Sequence, residues 1–228
     1  VKARITLCGA GGTGKTTMMR RIAERYDLPV LPSIARRVQR EMGAEREDDQ
    51  RRWAPFRQWK FEQRLTDEWS RLLMETNSYV ADRSMIDRYA YALYKLRDPD
   101  LLTLDELERY EDLIDRTVQH ADLVIYCPLG VFDPPPDGFR TARENERRAV
   151  DAIIAGVWQR MQLFGKRRNM LPLTVGRPKS DDPEDVERAL RLRDEHVDRA
   201  LQSVGLVDGK ANPLRREGRG VRSPSRVN

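Results

Sequence analysis

The sequence predicts an α/β fold, a three-layer sandwich in which a five-stranded parallel sheet carries helices on both faces. Three observations predict it. Short apolar runs alternate along the 228 residues with longer segments whose apolar positions recur every three or four. The run Leu123-Val124-Ile125-Tyr126-Cys127 is apolar without interruption, as a strand buried on both faces must be. Strands separated by helices require right-handed crossovers, and hence parallel pairing.

In chain order, Arg4-Ile5-Thr6-Leu7-Cys8 reads as the first strand. Thr16 to Tyr26 follows as a helix, with Met18, Met19, Ile22 and Ala23 on one face, ending before Asp27-Leu28-Pro29. Val30-Leu31 is a short second strand, and Ser33 is placed to cap a helix that carries Arg36, Arg37 and Arg40 and stops near Gly43. After a charged linker, 45–52, a long helix runs through Thr76 with Pro55 in its first turn. Ser78 to Ala81 is a strand, and Met85 to Leu96 and Thr103 to His120 are helices. The Leu123 strand leads through a proline-rich loop, 128–140, to a helix from about Arg143 to Phe164. Leu171 to Val175 is a strand confined to an edge by Pro172, and Asp182 to Val204 is the closing helix.

Residues 9 to 16, Gly-Ala-Gly-Gly-Thr-Gly-Lys-Thr, match G-x-x-x-x-G-K-[ST] directly after the first strand. Such a loop turns successive backbone N–H groups inward around an anion. Side chains at Gly9, Gly11, Gly12 and Gly14 would crowd phosphates or forbid positive φ. Lys15 would reach the β- and γ-phosphates of a nucleotide, the Thr16 hydroxyl would ligate Mg²⁺, and Thr13 and Thr17 complete the phosphate-facing set. The helix that starts here aims its positive end at the same anion.

Bulk properties narrow the class. No apolar run approaches the roughly 18 residues of a membrane span, and the first strand begins without a preceding signal-like segment, so a cytoplasmic protein with no membrane partner is expected. Cys8 and Cys127 fall in buried strands and read as small apolar thiols rather than as a disulfide or metal ligands. The net charge of +5 resides in 209–228, where Lys210, Arg215, Arg216, Arg219, Arg222 and Arg226 stand against Glu217. That tail is rich in Gly, Pro and Ser and reads either as a solvated, flexible terminus or as a salt-sensitive contact to DNA or RNA.

In a parallel sheet the ligand lies beyond the carboxyl ends of the strands. Asp82 stands there, as a metal-organising or base carboxylate or as the cap of the Met85 helix, with Arg83 placed to hold an acceptor or phosphate. Arg88 either joins Arg83 or pairs with Asp87. Ser33, Arg36 and Arg37 follow the second strand, where an arginine is able to clamp an anion in two-pronged fashion. Asp137-Gly138-Phe139-Arg140 follows three prolines and reads as a lid edge that swings Arg140 onto the transferring phosphate, with Arg143, Arg147 and Arg148 behind it. Trp53, Phe56, Trp59, Trp69, Tyr89, Tyr91 and Tyr94 are core residues or, for one or two, the lining of a base or ribose pocket. Neither His120 nor His196 is placed for catalysis.

With these motifs the chain resembles the P-loop kinases of the nucleoside and nucleotide kinase type, and within them the AAA-like group that includes the nicotinamide riboside kinase domain. The resemblance spans roughly residues 3–204. It rests on the phosphate loop, on Asp82-Arg83-Ser84 in the place of the Asp/Glu-Arg-Ser of deoxynucleoside kinases and the Asp-Arg of thymidylate kinases, and on Asp137-Gly138-Phe139-Arg140, similar to a D-G-x-R. It implies a P-loop NTPase domain over 1–208 with a helical lid near 128–148, and Mg²⁺-dependent transfer of the ATP γ-phosphate to a nucleoside or nucleotide-like acceptor. Lys15, Asp82, Arg83 and Arg140 would be catalytic, Gly9, Gly11, Gly12, Thr13, Gly14, Lys15, Thr16 and Thr17 would hold ATP, Thr16 and Asp82 the metal, and Ser33, Arg36, Arg83 and Arg88 the acceptor. One departure stands out. Relatives often read Pro-Glu-x-Ala-Arg after the second strand, whereas Pro32-Ser33-Ile34-Ala35-Arg36 lacks the carboxylate. Either Asp82 is the base, or the acceptor is a phosphate that needs a clamp more than a base. Alternative readings are a polynucleotide kinase acting on a strand-end or hydroxymethylated-base hydroxyl, and an ATPase or nucleotide-dependent switch.

Overall fold

The computed structural model describes residues 2–45, 49–50, 52–96, 100–131, 144–165, 169–180 and 182–206. Its elements are β1 (Arg4–Cys8), α1 (Lys15–Tyr26), β2 (Val30–Leu31), α2 (Ala35–Glu41), α3 (Pro55–Glu75), β3 (Tyr79–Ala81), α4 (Met85–Lys95), α5 (Leu104–His120), β4 (Leu123–Tyr126), α6 (Glu144–Gly165), β5 (Met170–Pro172) and α7 (Pro183–Ser203). The strands form one sheet in the order β2-β3-β1-β4-β5, parallel throughout. The chain moves to one side of β1 for β2 and β3 and to the other for β4 and β5. The crevice at the carboxyl end of β1 is therefore the switch point where such sheets bind ligands.

The period of two along each strand divides the core between two layers. Ile5, Leu7, Val80, Leu123 and Ile125 face α1 and α7, where Met18, Met19, Ile22, Val197 and Leu201 cover them. Cys8, Tyr79, Ala81, Val124 and Tyr126 face the other way, into a larger cluster built by α2 through α6. In α3 the apolar stripe Phe61, Leu65, Trp69 and Leu73 recurs every fourth residue and is buried. Each such side chain contributes about 1.5–3 kcal/mol by leaving water, which is what holds a 21-residue helix against its neighbours. No helix among the described residues is long and apolar enough to cross a membrane.

Two local expectations are corrected. Ser33 does not cap α2: the cap position is Ile34, already helical at φ −86° and ψ −11°, and Ser33 is exposed. The buried Ile34 sets the entry into that helix by packing. The edge strand begins at Met170 rather than Leu171 and ends at Pro172 rather than Val175, because after Leu173 N donates to Tyr126 O the chain turns, with Thr174 N donating to Pro172 O. The prolines of 134–136, the Asp137-to-Arg140 motif with Arg140, and the basic tail 209–228 lie outside the described residues, as do Arg143 and part of the expected lid.

Candidate active site

The phosphate loop links the central strand to α1. Gly9 sits at φ 145°, and a Cβ there would lie 2.3 Å from Cys127 O at the end of β4, so the approach of the neighbouring strand demands glycine. Gly12 and Gly14 both take φ 79°, in the left-handed region that other residues avoid. Gly11 differs from the expectation: its φ is ordinary and a Cβ would meet only the Tyr91 hydroxyl, at 3.8 Å. Among the described residues nothing requires glycine there, whereas a ligand close to the backbone would.

α1 has no acidic residue in its first turn, so its positive end is left open to an anion. Lys15 is buried and folds back, its Nζ donating to Ala10 O and, at 3.2 Å, to Thr13 Oγ1. Burial, and next the charge of Arg83, lower its pKa, so an arriving polyphosphate would relieve an ammonium that is poorly compensated. Thr13 is buried, whereas Thr17 is exposed on the outer face of the first turn.

The turn after β3 brings the second group of side chains to the loop. Asp82 accepts a hydrogen bond from the Thr16 hydroxyl. It does not cap α4. Ser84 does, its Oγ accepting from Ile86 N at 3.1 Å while Asp87 accepts from Ser84 N at 2.8 Å. The pattern of serine followed three residues later by an acid is a capping box legible in the sequence. Asp87 then does more than cap: with no exposed surface it also accepts from Gly9 N and from Arg83 Nη1, both at 3.1 Å. Arg83 in turn donates to Gly9 O at 3.3 Å. Burial works against the Arg83 charge, but Tyr91, Asp87 and Asp82 outweigh it and raise its pKa. Asp87 is thus paired with Arg83, not with Arg88.

Arg88 is buried on α4, its guanidinium 5.7 Å from the Tyr91 ring centroid, with Arg83 at 5.2 Å and Lys95 at 5.6 Å from the same ring. The cations Arg83 and Lys15 overcome burial to lower the Tyr91 pKa. Of the aromatic set, Trp69 is core, Phe56 is exposed and stacks on Trp59, and Tyr91 stands beside the loop. Arg147 of α6 donates from Nε to Gly11 O at 2.9 Å. Sequence reasoning gave Arg147 only a place behind Arg140, Asp87 only a pairing with Arg88, and Tyr91 only a place in the aromatic set.

Ser33 and Arg36 are exposed beyond the carboxyl end of β2, and Arg37 is engaged by Glu41 and Glu68. Among the described residues no hydrogen bond or ion pair joins them to the loop. Cys8 and Cys127 are free, and burial pushes the Cys127 thiol up to about 12 and Cys8 up as well, so neither is a nucleophile at neutral pH. His120 lies within 3.3 Å of the Arg4 guanidinium, before β4 and so at the far edge of the sheet.

The arrangement is a glycine loop with left-handed turns at Gly12 and Gly14, one buried lysine, a hydroxyl and a carboxylate in contact, and two arginines, Arg83 and Arg147, that donate to loop carbonyls. Its fold is that of the P-loop nucleoside and nucleotide kinases. The chain is similar to a NadR protein in complex with NR, at 20% identity and a TM-score of 0.55, over 91% of this chain and 52% of that one. It is similar also to a deoxyadenosine kinase from M. mycoides with products dCMP and a flexible dCDP bound, at 13% identity and a TM-score of 0.55, over 86% and 98% of the two chains. The chain therefore spans about half the length of the NadR protein and nearly all of the deoxyadenosine kinase. No curated protein matches the sequence. A family model described as an AAA domain matches residues 4–165, most of the chain, and the protein belongs to that family.

Proposed function

We propose that the protein is an ATP-dependent phosphotransferase that moves the γ-phosphate to a hydroxyl or phosphate of a nucleoside or nucleotide-like acceptor. The observation that carries the reading is the contact between Thr16 and Asp82 at the mouth of the phosphate loop. A hydroxyl and a carboxylate set side by side are hard oxygen donors of the kind Mg²⁺ takes. No cluster of three or more metal-ligating side chains occurs among the described residues. This suits an ion that fills most of its shell with phosphate oxygens and water. Thr16 and Asp82 would hold it, and bound there it would neutralise charge on the β- and γ-phosphates.

The chain's own residues supply the rest. Lys15 and the loop amides bind the donor phosphates, Arg83 and Arg147, held at the carbonyls of Gly9 and Gly11, offset developing charge, and Arg88 faces the acceptor. Arg140 is proposed as the lid arginine, with Ser33 and Arg36 at the acceptor's outer edge. Positioning and charge neutralisation account for most of the rate in such transfers. Asp82 remains the only carboxylate assigned to the transfer site, so it serves as metal organiser or as base. Lys15→Ala and Asp82→Asn should each lower phosphoryl transfer by at least about a hundredfold while the proteins remain folded. Either variant retaining full transfer would remove the residue from the assignment.

A second reading has its own observation, the +5 charge of residues 209–228. If the acceptor hydroxyl belongs to DNA or RNA, deleting 209–228 weakens phosphorylation of polymer at low salt and leaves free nucleosides untouched. Release of phosphate with no organic acceptor would instead favour an ATPase or switch.

A further inference from the structure

At the edge of the sheet remote from the phosphate loop, α7 and the last two strands leave a cleft. β4 and β5 begin at Leu123 and Met170, and because all strands run parallel these residues lie at the amino edge, whereas the loop follows the carboxyl end of β1. Leu123, Met170 and Leu171 line the cleft from the sheet, and His196, Arg199 and Ala200 from α7, around a volume of about 300 Å³. Positions 196, 199 and 200 are three and four residues apart, so one stripe of α7 builds that wall. An apolar cavity of about 150 Å³ is enough to hold benzene, so twice that volume admits a fused bicyclic ring or a ring with a short arm. No carboxylate lines the cleft among the described residues. The neighbouring acids Asp194 and Asp198 are turned to α1, where they accept from Arg21 and from Arg25 and Tyr26. Glu195 meets Arg199 only through its backbone carbonyl, which accepts from Arg199 Nε at 3.2 Å and leaves both Nη groups to the cleft. His196 is half-buried, and no hydrogen bond or ion pair engages its ring among the described residues.

We propose that this cleft is a second binding site, and that it takes a small organic carboxylate with a flat apolar body. The body lies against Leu123, Met170 and Leu171, the two Nη groups of Arg199 take the carboxylate in two-pronged fashion, and the His196 ring donates one further hydrogen bond. The inference stands apart from the phosphotransfer reading, because no residue of the cleft belongs to the transfer site. A phosphate dianion would find a single guanidinium where two charges need compensation. A neutral ring would gain only the burial of its apolar surface.

The chain has two histidines, so imidazole proton resonances of the full chain report on the cleft, the His196 signal being identified by its loss in His196→Gln. Indole-3-acetate, indole-3-acetamide and acetate are titrated separately, with and without a non-hydrolysable ATP analogue. Indole-3-acetate should move the His196 signal with a Kd below about 1 mM, and the amide, which lacks the charge, should bind roughly tenfold or more weaker. Acetate, which lacks the body, should not bind in that range. Arg199→Gln should bring acid and amide to nearly equal affinity, and Ala200→Phe, which fills the cleft, should abolish the shift with both. Arg199 is exposed, so its variant should keep the native thermal midpoint and decides the matter even if Ala200→Phe fails to fold. The ATP analogue should leave the affinity for indole-3-acetate unchanged. No shift of the His196 signal up to about 10 mM, equal binding of acid and amide, or a preference for the acid that survives Arg199→Gln would each overturn the proposal. Loss of binding in the presence of the ATP analogue would overturn it too, by placing the carboxylate at the phosphate loop.

Discussion

Replacing Asp87 by alanine removes the group that ties the β3–α4 turn to the phosphate loop. Its Oδ1 accepts from Gly9 N and Arg83 Nη1, each at 3.1 Å, and its Oδ2 from Ser84 N at 2.8 Å and Ser84 Oγ at 3.0 Å. Hydrogen bonds to a charged group contribute about 1.5–3 kcal/mol each, but four that share one carboxylate do not add. Breaking a buried ion pair by removing one partner costs about 3–5 kcal/mol. Arg83 keeps the Gly9 carbonyl and 24% of its side-chain surface in water, so the lower end, about 3 kcal/mol, applies. At about 2–4 °C per kcal/mol for a chain of this size, the melting temperature falls by roughly 6–12 °C. Calorimetry and urea unfolding both read this, with Asp87→Asn intermediate because it keeps shape and part of the acceptor capacity. An Asp87→Ala protein as stable as the native one to within about 0.5 kcal/mol, the range of an inert surface change, would refute the anchoring role.

Lys15→Met removes a buried cation whose pKa burial lowers, so the unliganded protein should unfold at the same temperature or higher while ATP affinity is lost. Scanning fluorimetry with and without ATP checks both halves. Gly9→Ala drives a Cβ against Cys127 O and should cost more than about 2 kcal/mol, whereas Gly11→Ala should leave stability within about 0.5 kcal/mol and weaken nucleotide binding. Asp122 is desolvated, yet the Arg4 hydrogen bonds prevail and hold its pKa below the ordinary 3.8. Its stabilisation is therefore present above about pH 4 and fades as pH falls through the folded value. Asp122→Asn should lower the midpoint at neutral pH and converge with the native protein near about pH 2.

Much of this was legible because it is local. The loop of residues 9–16, the unbroken apolar run at Leu123 and the helical spacing in α1 and α3 each carry their own signal, and Pro55 and Asp182 stand at the helix starts. The lopsided layers, with α1 and α7 on one face and α2 through α6 on the other among the described residues, were not legible, since periodicity tells that a face is buried but not by what. Asp87 was overlooked although Ser84 and Asp87 spell a capping box, because its bond to Gly9 joins residues 78 apart. Tyr91 and Arg147 are similar cases: an aromatic in an apolar helix and an arginine in a basic one look like their neighbours until the fold sets them against the loop. Ser33 failed as a cap because packing of Ile34, not side-chain capping, starts α2.

The central claim is most directly tested by following label from γ-labelled ATP with Mg²⁺ into parallel panels of nucleosides, nucleoside monophosphates, nicotinamide riboside, and DNA or RNA with normal and hydroxymethylated bases, with Lys15→Ala as the blank. The account predicts label on a small-molecule acceptor with the native protein and none with the blank. Label appearing only as free phosphate, or equally with Lys15→Ala, would contradict it.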